Sequence, residues 1–95
     1  MKQTMDQVKY TFNIVPVYPV TGDRLVFRIE TNIPNFNAAN VQWSAGPAAV
    51  TGWVEGGQYV IDRTSLSANI SYWLNATYFY NGLNYTSDIS ISSDQ

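Results

Sequence analysis

The sequence predicts an all-β fold: an immunoglobulin/fibronectin III-like antiparallel β-sandwich of about seven strands. Three observations carry this expectation. Apolar and polar residues alternate with period two along most of the chain, the pattern of strands with one buried face. Clusters of Gly, Pro and Asn interrupt the alternation at short intervals, and no stretch has convincing helical periodicity. The 95 residues are 45% hydrophobic and 15% aromatic but only 13% charged, which suits a β-rich domain with an uncharged polar surface.

The elements follow in order. In VKYTFNIVP, Val8, Tyr10, Phe12 and Ile14 share one face, with Lys9, Thr11 and Asn13 opposite. DRLVFRIET places Leu25, Phe27 and Ile29 inward and Arg24, Arg28 and Glu30 outward. NVQWSA puts Val41 and Trp43 on one side, Gln42 and Ser44 on the other, and GQYVID offers Tyr59 and Ile61. The long run from Asn69 to Tyr80 and the segment YTSDISIS complete the set. Turn chemistry falls between these runs, in PVYPVTGD, TNIPNFNAAN, SAGPAAVTG, EGG and YNGLN. FYNGLNY reads as a hairpin, with Asn81-Gly82 supplying the two positive-φ positions.

The segment LSANISY sets Leu66 six residues before Tyr72, the spacing of a tyrosine corner. In such a corner the ring enters the core and the hydroxyl bonds back to the preceding chain. If Tyr72 has that role, Leu74 and Ala76 also point inward, while Trp73, Asn75, Thr77 and Phe79 point outward.

One domain over residues 1–95 is the expectation, with 1–6 as a flexible N-terminal extension. Five Lys and Arg against seven Asp and Glu give a net charge of −2, and the cations form no dense patch, which argues against nucleic acid. Without Cys or His, thiol chemistry, the usual catalytic triads and most transition-metal sites are excluded. The acids are scattered near turns and ends, and a small sandwich offers no deep cleft for a carboxylate pair. The expectation is therefore no enzyme, no cofactor and no metal. No apolar run approaches the length of a membrane span, so no membrane partner is expected.

Trp43 stands at inward parity and, with Tyr10, Phe12, Phe27, Tyr59 and Tyr72, reads as core. Trp73 does not. On the solvent face of its strand, with Asn75 and Thr77 between it and Phe79, it makes a reasonable sugar platform. The ring takes the C–H face of a pyranose and the polar groups take its hydroxyls. The alternative is that the loop AAVTGWVEGG, carrying Trp53, covers Trp73. Trp53 itself, between glycines in a turn-like stretch, either walls the same platform or caps the sandwich. Three N-glycosylation sequons begin at Asn69, Asn75 and Asn84, in a chain so rich in Asn, Ser and Thr that roughly one or two would arise by chance.

The stretch ISYWLNATYFYNGLNYTSD resembles the C-terminal strand pair of β-1,3-glucan-binding sandwich modules. It is most similar to the family 56 carbohydrate-binding modules, and similar also to the N-terminal glucan-recognition domains of insect pattern-recognition proteins. The matching positions are Tyr72-Trp73, Tyr78, Asn81-Gly82, Tyr85 and Asp88, and FRIETNIPNFNAANVQW also resembles the family 56 pattern. The stretch SAGPAAVTGWVEGG departs from it, lacking a longer polar hairpin.

The resemblance implies a non-catalytic module that binds β-glucan, β-1,3-linked, within a larger secreted or cell-surface protein, and itself monomeric. Trp73 would be the stacking ring, Asn75 and Thr77 its hydrogen-bonding flanks, and Trp53, Phe79 and Asp88 second walls. The rival expectation is a fibronectin- or immunoglobulin-like spacer or protein-adhesion domain, whose exposed rings form a protein interface.

Overall fold

The computed structural model describes residues 10–18, 22–47 and 50–94. The expected extension at 1–6, and Val8 of the first run, lie outside the described residues. Among the described residues seven strands form: β1 (Phe12–Pro16), β2 (Arg24–Thr31), β3 (Gln42–Gly46), β4 (Gly52–Glu55), β5 (Gln58–Asp62), β6 (Tyr72–Tyr80) and β7 (Leu83–Ile91). They make two antiparallel sheets, β1-β2-β5-β4 and β3-β6-β7. This is the strand order of the seven-stranded immunoglobulin sandwich.

Alternation in the sequence becomes alternation in burial. Along β6, Tyr72, Leu74, Ala76 and Tyr78 are buried, while Trp73 and Phe79 are exposed. Along β2, Leu25, Phe27 and Ile29 are buried and Arg24, Arg28 and Glu30 exposed. These inner faces meet in one core with Phe12, Ile14, Ile33, Val41, Ile61, Leu66 and Ile91. Leu74 and Ile61 lose all contact with solvent, each contributing roughly 1.5–3 kcal/mol by burial.

The crowded rings of the C-terminal segment divide by parity. Tyr78 and Tyr85 face each other across β6 and β7 and point inward. Tyr78 packs on Phe36 at 4.7 Å and Phe12 at 6.1 Å, and its hydroxyl accepts the Asn37 backbone N–H at 3.2 Å. Tyr10 meets Tyr80 edge-on at 5.7 Å. At the other end of the core, Trp43 stacks on Tyr59 across the two sheets at 5.1 Å, with 10° between the planes. The Tyr59 ring fills the space where a Cβ on Gly52 would stand. Trp43, Tyr10 and Tyr59 are half-buried, at the ends of the core.

The tyrosine corner forms as the spacing predicts. Asp62 caps the short 3-10 turn Arg63–Ser65, its Oδ1 accepting from the Thr64 backbone N–H at 2.9 Å. The chain then buries Leu66, and the Tyr72 hydroxyl accepts the Ser67 backbone N–H at 2.9 Å. That bond ties the entry of β6 to the end of the crossing between sheets. Asn81 and Gly82, with φ of 51° and 82°, close a two-residue hairpin between Tyr80 and Leu83.

One stretch corrects the sequence reading. GWVE, expected as a turn, is the edge strand β4, joined to β5 through Gly56 and Gly57 with φ of 59° and 79°. Its alternation is hidden because Gly52 holds an inward position without a side chain of its own. Val54, opposite Tyr59 at inward parity, stays 55% exposed at the sheet edge.

Candidate functional site

The outer face of the three-stranded sheet is a grid fixed by register. Trp73 stands between Gly46 and Ser90, Asn75 between Ser44 and Asp88, and Thr77 between Gln42 and Thr86. Phe79 pairs with Asn84 at the far end. Paired residues project to the same side of a sheet, so these side chains share one surface. Six residues of extended chain put Trp73 and Phe79 about 20 Å apart, and three strands give a width of about 10 Å.

Trp73 is 44% exposed. Its benzo ring lies across Gly46 on β3, with Cζ2 2.6 Å from the position a Cβ there would take. The missing side chain lets the indole lie down on the sheet. Trp53 does not cover it, because β4 belongs to the other sheet. Phe79 is 66% exposed. Leu83, 50% exposed, pairs with Tyr80 and so has the opposite parity.

Between the two rings the polar groups bond to one another. Asn75 Nδ2 donates to Asp88 Oδ1 at 2.7 Å and to Thr86 Oγ1 at 3.0 Å. Thr77 Oγ1 donates to Asn75 Oδ1 at 3.2 Å. Both amide protons of Asn75 are thus committed, and its part is to hold Asp88 and Thr86 in place. Among the described residues, Asp88 Oδ2 and the side chains of Gln42, Ser44, Asn84 and Ser90 take part in no hydrogen bond. Gln42, Ser44, Thr86 and Ser90 escape a reading of β6 alone. Only the cross-strand register brings them beside Trp73, Asn75 and Thr77.

Among the described residues, the charge on this face is a single carboxylate, that of Asp88. The three described arginines lie elsewhere: Arg24 and Arg28 on β2, Arg63 in the turn after β5. A shallow groove of about 350 Å³ is lined by Tyr10 and by Leu83, Asn84, Tyr85 and Thr86 of β7. Of the sequon asparagines, Asn84 is exposed on the same face and Asn75 is half-buried in the network. Asn69 is exposed in the corner turn, at a φ of 67°.

Trp53 does not join this surface, contrary to the reading that it walls the platform. It pairs with Val60 in the four-stranded sheet, on the side away from the core. Two packed sheets therefore separate it from Trp73. Trp53 has a closed set of partners there. Its Nε1–H donates to Glu55 Oε1 at 3.0 Å, and Arg24 Nη2 donates to the same oxygen at 2.7 Å. The Arg24 guanidinium lies 5.7 Å from the centre of the indole ring. Beside Trp53, Val60 is only 1% exposed although it points away from the core. The Trp53 N–H and the Arg24 guanidinium hold the Glu55 carboxyl below the usual range.

Compared with known proteins, the chain matches no family model, no curated sequence and no solved structure. The described residues contain no group of three His, Cys, Asp or Glu placed to hold a metal ion. Among the described residues no helix is long and apolar enough to cross a membrane.

Proposed function

We propose that the chain is a non-catalytic carbohydrate-binding module that holds β-glucan, β-1,3-linked, on the outer face of the three-stranded sheet. The observation that carries this reading is the half-exposed Trp73 indole lying on the sheet, with fixed polar groups beside it. A pyranose stacks its C–H face on the ring, and its hydroxyls meet Asp88 Oδ2, the Thr86 hydroxyl and the side chains of Gln42 and Ser44. Asn75 and Thr77 act from beneath, fixing the acceptors before a ligand arrives, and such preorganisation lowers the ordering cost of binding. The β-1,3 linkage rests on the resemblance to family 56 modules. So does the placement of the module within a larger secreted or cell-surface protein, as a monomer.

Affinity for short oligosaccharides should lie between millimolar and about 10 μM, roughly −4 to −7 kcal/mol. Avidity on a polymer raises it when several modules engage.

A second reading has its own observation. The Trp73 ring shields the Gly46 backbone, which gives it a structural use, and Phe79 leaves apolar surface at one end of the face. On that reading the domain is a fibronectin- or immunoglobulin-like spacer or adhesion domain, and the rings meet a protein.

Retention of the purified domain on insoluble curdlan, beside cellulose, chitin and xylan, separates the two. Retention on curdlan alone supports the module. Retention on none, with self-association that grows with protein concentration, supports the adhesion domain.

A further inference from the structure

Building on the sugar-platform reading, we infer that the face takes a single uncharged glycan chain lying lengthwise along β6, in contact with both Trp73 and Phe79. The ligand is then the interior of a chain, neither a chain end nor a crystalline surface.

Three observations lead there. The two exposed rings stand at opposite ends of the same strand, about 20 Å apart, farther than one sugar ring can bridge. Between them, among the described residues, lie polar side chains: Asn75, Thr77, Thr86 and Asp88, tied to one another, with Gln42 and Ser44 beside them on β3. No bulky group rises between the rings to stop a chain. A strand also twists along its length, so rings six residues apart do not share a plane. A crystalline ribbon needs coplanar rings; a single chain whose sugars turn from residue to residue follows the twist.

Charge defines the ligand class. The face carries the Asp88 carboxylate and no cation among the described residues. A uronic or sulfated glycan would bring like charge to that carboxylate, with no guanidinium or ammonium among the described residues of the face to offset it. A neutral chain meets Asp88 as a strong hydrogen-bond acceptor instead.

The test is titration calorimetry of the wild type, Phe79→Ala and Trp73→Ala with laminari- and cello-oligosaccharides from dimer to heptamer. Affinity of the wild type should climb with chain length until both rings are covered. Phe79→Ala should bind the dimer as the wild type does and the heptamer about fivefold more weakly. Carboxymethylated laminarin should bind the wild type about fivefold more weakly than laminarin at low salt.

Equal losses at every length for Phe79→Ala, or none at any, overturn the lengthwise chain. Carboxymethylated laminarin binding as tightly as laminarin overturns the neutral class. If the folded wild type binds no member of either series, the platform reading fails and this inference with it.

Discussion

The indole of Trp73 lies over Gly46 of the neighbouring strand, and the phenol of Tyr59 lies over Gly52 in the other sheet. Both rings occupy the place of a missing side chain, but they differ in freedom. Trp73 is on the surface and can swing outward. Tyr59 is pinned by its stack on Trp43 at 5.1 Å.

Gly46→Ala should therefore change stability by less than about 1 kcal/mol. The ring moves off, and removing a strand glycine returns roughly 0.5–1 kcal/mol of backbone entropy. Gly52→Ala should cost about 1–3 kcal/mol, because Tyr59 has nowhere to go. Urea denaturation of the two variants measures the contrast, and equal losses would mean that the rings are equally mobile. On the platform reading, Gly46→Ala should also weaken glucan retention.

The two exposed tryptophans should behave differently. Trp73→Ala should abolish retention on curdlan with little loss of stability, since the ring is 44% exposed. Trp53→Ala should leave retention intact, because its indole faces away on the other sheet. A pull-down with both variants decides this. Retention lost with Trp53→Ala and kept with Trp73→Ala would move the binding surface to the opposite face.

Tyr72→Phe removes one hydroxyl from a residue that is 2% exposed and leaves the Ser67 N–H without its acceptor. The expected cost is about 1–2 kcal/mol. In a domain of this size that lowers the melting temperature by about 4–16 °C. Thermal unfolding followed by circular dichroism reads it. An unchanged midpoint would show that water replaces the corner bond at no cost.

Acid should weaken the four-stranded sheet through two carboxylates. Trp53 and Arg24 lower the pKa of Glu55, and the side-chain and backbone donors of Thr64 lower that of Asp62. A carboxyl whose folded pKa lies below its unfolded value binds more protons when unfolded. Its stabilisation is therefore complete above the unfolded pKa and lost as pH falls through the folded one. Melting temperature should be level above about pH 5 and fall below about pH 4. Glu55→Gln and Asp62→Asn should each flatten that fall. If neither does, other groups carry the acid response.

Much of this arrangement is legible in the chain. The alternation in YWLNATYFY assigns Tyr72, Leu74 and Ala76 to the core and leaves Trp73 and Phe79 outside. LSANISY announces the corner, and Asn81-Gly82 the hairpin. Each is local, set by side-chain parity or by the backbone freedom of one or two residues. The fourth strand was missed for an equally local reason: Gly52 removes one apolar mark from a four-residue pattern.

What the sequence by itself determined is the sandwich, the inward or outward sense of the residues along β2 and β6, and the two exposed rings of β6. The tertiary structure alone decided who stands beside those rings. It laid Trp73 on Gly46, brought Asp88 and Thr86 to Asn75, and carried Trp53 to the opposite face. The physical reason is range. Parity repeats every second residue and is written within each strand. Sheet membership and register depend on pairings between distant segments, settled by whole inner faces packing together.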